Sequence, residues 1–226
     1  MDIAEAINKR KSIRDFKSDP VPQDILKEIM ECALRAPSGA NTQPWEFVIV
    51  AGSKLEVIRK DLTMSAQTAS VPDIPFARKY PELYDNRRRT LGRKMLEIKG
   101  IAREDREKRE WWQLQGVMGF GAPCIIFLCI DHSLYLQDGK INVWPVFDCA
   151  AIMENIMLLA IKYGLGTIPQ LQTVTYPEVL RKALGIPDSK LIVLGIAIGY
   201  PDWDDPVNQL QTEREPSDKV IQWHGF

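Results

Sequence analysis

Ala36-Pro37-Ser38-Gly39-Ala40-Asn41-Thr42-Gln43-Pro44-Trp45-Glu46-Phe47-Val48-Ile49-Val50 passes from loop to strand in one short stretch. Pro37, Gly39 and Pro44 keep the first part out of regular structure. Glu46 to Ala51 is rich in β-branched and aromatic residues and reads as a strand. Ser38, Asn41, Thr42 and Gln43 place hydroxyl and amide groups on the loop between. Such a set suits the polar edge of a heterocycle or a polyol chain. It equally suits an ordinary helix-to-strand turn.

Upstream, Ile25, Leu26, Ile29, Met30, Ala33 and Leu34 recur at three- and four-residue steps, which predicts an amphipathic helix from Gln23 to Arg35. Ile3, Ala6 and Ile7 predict a shorter helix at the start. That helix runs into Arg10-Lys11-Ser12-Ile13-Arg14-Asp15-Phe16. An extended Arg-Lys-Ser-x-Arg aims several donors at one phosphate, and Arg suits bidentate contact. The alternative is a solvated basic turn that complements a helix C-terminus.

Downstream, the chain changes character between about 53 and 118. Prolines 72, 75 and 81 mark a loop-like stretch from Met64 to Tyr84. Residues 87–109 carry ten Lys or Arg against four Asp or Glu, and read as an exposed helical excursion, interrupted near Gly100, rather than as core. It serves either as a solvated face or as a lid over a bound acceptor. Pro123 to Ile130 reads as a second strand, and Leu191 to Tyr200 as a third, apolar enough to be central. Phe147 to Tyr163 predicts a helix apolar almost all round, fit for the molecular centre or a subunit interface. Tyr176 to Leu184 predicts a short helix, and residues 201–226 an extended arm. The organisation expected is one α+β domain over 1–226, with the basic excursion at about 64–118.

Hydrophobic residues make up 45% and charged residues 26% of the 226, which excludes wholesale disorder. The formal net charge of −1 argues against nucleic acid as a partner. Cys32, Cys124, Cys129 and Cys149 lie far apart in apolar surroundings and read as buried, non-catalytic thiols in a reducing compartment. With two histidines and no CxxC pair, no metal site is expected. The N-terminus lacks the apolar core of an export signal, so the expectation is cytoplasmic and not membrane-bound. Neither GxGxxG, GxxxxGK[ST] nor GxSxG occurs, which leaves the usual dinucleotide, P-loop and hydrolase readings without support.

Taken together, the motifs resemble the FMN-dependent nitroreductase family, which includes flavin reductases and an iodotyrosine-deiodinase branch. RKSIRDF is similar to its Arg-Arg-Ser-x-Arg-x-Phe opening, and APSGANTQPWEFVIV to its Ala-Pro-Ser-x-x-Asn-x-Gln-Pro-Trp motif. Tyr163-Gly164-Leu165-Gly166 and Thr167-Ile168-Pro169-Gln170 sit where the family has the end of its dimer helix and a flavin loop. Gly195 to Pro201, then Thr212-Glu213-Arg214, resemble its last strand and phosphate-binding arm.

The resemblance implies a three-layer α/β/α sandwich that forms an intertwined homodimer with FMN at the subunit interface. It assigns Arg10, Lys11, Ser12 and Arg14 to the phosphate, ribityl chain and pyrimidine edge, and Arg214 to the phosphate. Pro37, Ser38 and Asn41 approach the flavin from the partner chain. Pro169, Gln170 and Leu171 line its N5 side, where a main-chain N–H is the expected donor. The flavin does the chemistry, so no side chain receives a catalytic role. The activity implied is ping-pong transfer of hydride from NAD(P)H to a nitroaromatic or quinone-like small aromatic acceptor. Reductive dehalogenation of halophenols and FMN binding without turnover are the alternatives. Lys11, Thr212, Gln170 and Leu171 depart from familiar members, the last two from an Ile-Glu pair. The loop identity therefore speaks to fold more than to substrate.

Overall fold

The structure is a computed structural model that describes residues 2–77 and 79–226; Met1 and Arg78, which belong to the expected domain and its loop, lie outside them. Helices α1 (Ile3–Lys9) and α2 (Gln23–Ala33) precede strand β1 (Trp45–Ala51), and helix α3 (Gly52–Ser65) follows it directly. Helices α4 (Glu82–Ile98) and α5 (Arg106–Val117) lead to strand β2 (Cys124–Asp131). A short helix α6 (His132–Tyr135) and a ribbon of β3 (Leu136–Gln137) and β4 (Lys140–Ile141) come before the longest helix, α7 (Trp144–Lys162). Strand β5 (Gly166–Gln170), helix α8 (Pro177–Leu184), strand β6 (Lys190–Gly199) and a last helical turn, α9 (Ser217–Val220), complete the order.

The main sheet runs β1-β2-β6-β5, with each neighbouring pair antiparallel. Residues on β2 alternate strictly between two cores. Cys124, Ile126, Leu128 and Ile130 pack with α2 and α7; Ile125, Phe127 and Cys129 pack with α3 and α8. With both faces covered, β2 and β6 need apolar side chains at nearly every position, which is why they read as continuous runs. The result is the three-layer α/β/α arrangement that the sequence implied.

Four expectations need correction. The sheet has a fourth strand, β5, where a loop was expected. Pro169 weakens the strand signal, yet β5 is an edge strand, and an edge tolerates the missing N–H. No element was expected between about 53 and 63, yet helix α3 lies there, with Leu55, Ile58 and Leu62 forming a fully buried stripe. The excursion is not all surface: Ile101 and Trp112 are buried with Val207 in a third cluster. Cys32 is exposed, whereas the other three cysteines are buried as expected. The helix break falls at Gly100, whose φ of +64° suits glycine.

Helix α7 is long and apolar enough to cross a membrane by length and composition. Here it lies on the sheet, with Cys149, Ile152, Ile156, Met157 and Ala160 buried. The segment between α3 and α4 is pinned by Asp73, whose carboxylate accepts from Arg181 at 2.9 and 3.2 Å and from the Ile192 N–H at 2.7 Å.

Candidate active site

Arg10 ends α1 by turning into extended backbone (φ −61°, ψ 123°). The next residues lie along the open edge of β5, with Ser12 bridging Thr167 in parallel and the Ile13 N–H donating to the Thr167 carbonyl at 3.0 Å. Gly166 makes this approach feasible, because a Cβ there would sit 2.4 Å from Ile13 Cγ1. On the far side, buried Asn208 stitches the segment to the start of the C-terminal arm. Its Oδ1 accepts from the Arg14 N–H at 2.8 Å, and its Nδ2 donates to the carbonyls of Asp15 and Asp202, both at 2.7 Å.

A cavity of about 790 Å³ opens beside this segment, lined among others by Arg10, Lys11, Glu154, Thr167, Trp203 and Arg214. Arg10 Nε lies 3.6 Å from Glu154 Oε1. Lys11 Nζ sits 5.1 Å from the centre of the Trp203 ring, and burial pulls its pKa down. Arg214 donates to Thr212 Oγ1 at 2.7 Å. Among the described residues, neither Lys11 nor Arg214 has a carboxylate within 4.0 Å. The lining therefore carries an excess of cations, an arrangement that suits a multiply charged anion such as a phosphate monoester.

Arg14 is not among the residues lining this cavity and is half-buried. Its Nη1 donates to the Ser12 carbonyl at 3.3 Å, and burial lowers its pKa. No carboxylate among the described residues pairs with it. A desolvated guanidinium with one carbonyl partner still has donors to offer a polar ligand.

Strand β5 supplies the neighbouring edge. Because the Thr167 carbonyl accepts from Ile13, the backbone groups of Thr167 and Pro169 face away from β6; Leu171 follows just past the strand, where its carbonyl accepts from the Val174 N–H at 3.2 Å. Pro169 has no N–H, so Leu171 offers the next donor along that edge. The Leu171 side chain is exposed. Gln170 is turned the other way, toward α5: its Nε2 donates to the Gly116 carbonyl at 3.0 Å, and its buried Oε1 has no partner. The Gln170 side chain is therefore engaged with α5, which leaves main-chain groups as what this loop can offer a ligand.

Pro37, Ser38 and Asn41 do not reach this cavity within one chain. Their loop is held at the start of α7, where the Gly39 N–H meets both Asp148 carboxylate oxygens at 3.2 Å. Ser38 Oγ accepts from the Gln43 N–H at 3.0 Å. Ala40, Asn41 and Gln43 all have positive φ, at 50°, 57° and 47°. Three left-handed non-glycine residues in one loop mark stored strain of the kind found where ligands are clamped.

Sequence reasoning overlooked Glu154, Thr167, Trp203 and Asn208. Glu154 interrupts an otherwise apolar helix, and that was a usable signal. Nothing local distinguishes Asn208, whose role is set by three partners distant in sequence or hidden in a turn.

The sequence profile of the nitroreductase family matches residues 7–200. The 4-nitrobenzoate reductase of Nocardioides sp. (strain LMS-CY) is 27% identical over 221 residues, covering 95% of this chain and 87% of that protein. The nitrobenzene nitroreductase of Ectopseudomonas oleovorans is 29% identical, over 94% and 92% of the two chains. Among solved structures, the FMN- and NADPH-dependent nitroreductase NfnB from Sphingopyxis sp. strain HMH superposes with a TM-score of 0.92 at 31% identity, covering 100% of both chains.

Proposed function

The chain belongs to the nitroreductase family, and on that premise we propose that it is an FMN-dependent oxidoreductase that uses NAD(P)H to reduce nitroaromatic compounds. The observation that carries the reading is the cavity that joins Arg10, Lys11 and Arg214 to the open edge of β5. Relatives named for 4-nitrobenzoate and nitrobenzene support the acceptor class.

The residues present fit FMN. Arg10, Lys11 and Arg214 would hold its phosphate, Ser12 and Arg14 its ribityl chain and pyrimidine edge, and the Leu171 N–H its N5. Bound there, FMN supplies a two-electron carrier that accepts hydride from NAD(P)H and passes the electrons to the acceptor in a separate half-reaction. The chain would hold the cofactor and orient it. Glu154 keeps Arg10 directed into the cavity. Pro169 and Leu171 present one donor and no competing side chain at the edge.

The dimer belongs to the same proposal. Phe147, Ala151, Leu158 and Ile161 form a stripe on α7 that the chain does not bury, and Glu154 and Ile161 on that stripe also line the cavity. A second copy packed there would bring the partner's Pro37, Ser38 and Asn41 to the flavin. Helices α4 and α5 would form the lid of this single domain, and the arm from 201 would close the phosphate end. We place the protein in the cytoplasm, acting on a small aromatic acceptor without nucleic acid or membrane.

The test is oxidation of NADH and NADPH by the purified chain with and without 4-nitrobenzoate. Acceptor-dependent oxidation that requires bound FMN is the expected result. Binding of FMN without any turnover, for either nucleotide and a panel of nitroaromatics and halophenols, would overturn it in favour of a carrier.

A further inference from the structure

Residues 211–226 are all exposed in this chain, so the segment that carries Arg214 has no apolar anchor of its own. What fixes it beside the cavity is a pair of ion pairs to the basic helix α4. Glu213 Oε1 lies 2.8 Å from Lys94 Nζ, and Glu215 Oε1 lies 2.8 Å from Arg87 Nη2. Lys94 and Arg87 are seven residues apart, two turns along one helix face. Between Leu210 and Pro216 the arm forms neither helix nor strand, and its neighbouring side chains go to different partners. Glu213 and Glu215 go to α4; Arg214 goes to the cavity.

We propose that Glu213 and Glu215 are positioning residues: they clip the arm to helix α4, so that Arg214 is presented to the phosphate of the cofactor and phosphate binding and docking of α4 reinforce each other. The proposal rests on the reading of the cavity as a flavin phosphate site. It also accounts for part of the positive charge on α4, which is matched by the arm within the chain.

Isolated exposed ion pairs contribute little when the groups are already held in place. Here they decide more, because few other contacts order the segment. Linkage makes the effect reciprocal: whatever the clip adds to phosphate binding, bound phosphate returns to the docking of α4.

The experiment measures equilibrium binding of FMN and of riboflavin to the full chain and to Glu213→Gln/Glu215→Gln, by flavin fluorescence. The double variant is expected to bind FMN about three- to tenfold more weakly, an effect of the size two exposed pairs provide. Riboflavin, which lacks the phosphate, should bind unchanged. Lys94→Glu alone should weaken FMN similarly, and Lys94→Glu with Glu213→Lys should restore it. As a second readout, FMN but not riboflavin should slow amide exchange across α4 in the parent, and neither should do so in the double variant. Unchanged FMN affinity in the double variant overturns the proposal, as does equal loss of both ligands or a charge swap that fails to restore binding. Arg214→Ala separates this failure from that of the underlying reading. If that variant binds FMN and riboflavin with unchanged preference, the cavity is not the phosphate site; if it loses the preference while the clip variants keep it, only the clip is wrong.

Discussion

Asn208 shows how much one buried side chain organises. It satisfies the Arg14 N–H and two carbonyls at once, and each group is costly to leave unpaired away from water. Asn208→Ala is therefore expected to lower unfolding stability by roughly 2–3 kcal/mol, read as a shift of the urea midpoint, and to weaken FMN binding with it. Asp15 lies close by and makes a pH-dependent prediction. Burial first, and then the adjacent Asp205 carboxyl, push it up to about 6. Asp205 goes the other way: burial opposes ionisation, but the Lys99 ammonium and the Val207 N–H outweigh it. A carboxyl raised above its unfolded value favours the folded chain while protonated, and that contribution is lost as pH climbs through about 6. Asp15→Asn cannot ionise, so its melting temperature should exceed the parent's by more at about pH 8 than at about pH 5; a constant difference would contradict the assignment. Leu171 makes a third. Leu171→Ala should leave reduction by NAD(P)H nearly unchanged, whereas Leu171→Pro, which deletes the N–H, should slow it while FMN stays bound. Stopped-flow bleaching of the two variants decides, and equal rates would place the donor elsewhere. At this scale charge and motif pointed to the segment 10–14, of which Arg10 and Lys11 line the cavity. It was opaque for Asn208 and Glu154, whose roles come from partners the chain folds against them. For Gln170 it carried no sign of which way the strand turns the side chain, which is toward α5.

Among the elements, legibility follows burial. Strands β2 and β6 are covered on both faces and announce themselves as apolar runs. Strand β5 does not, since Gly166 and Pro169 serve an edge that accepts Ile13 on one side and leaves a prolyl position on the other. Helix α3 was hidden by the charged stretch that follows it, although its buried stripe has ordinary helical spacing. Helix α7 was visible throughout and carries the prediction that belongs here. Its buried face fills the core, and Phe147, Ala151, Leu158 and Ile161 are not fully buried by the chain, the stripe on which the proposed dimer rests. Leu158→Glu should give a folded monomer by light scattering and circular dichroism, with most of its FMN lost, because a half-open apolar stripe does not accept a charge against another subunit. A flavin-loaded dimer from that variant would remove α7 from the interface.

For the whole molecule, three parts of the chain meet at the cavity. The sheet fixes β5, the extended segment 10–16 lies on its open edge, and the arm returns to close the cavity. Burial pushes the Cys124, Cys129 and Cys149 thiols up to about 12, so they stay protonated at neutral pH. The three-layer fold was readable from the order of four motifs, each weak alone. The proposed dimer rests on an apolar helix with more apolar surface than one chain covers. The central claim is that the cavity holds an FMN which NAD(P)H reduces and a nitroaromatic reoxidises. The most direct test is the visible spectrum of the purified chain under anaerobic conditions, recorded before NADPH or NADH, after it, and after 4-nitrobenzoate. The account predicts a yellow protein that one or both nucleotides bleach and that the nitroaromatic restores to its oxidised spectrum. A chain that binds no FMN, or a bound flavin that neither nucleotide bleaches, would contradict it.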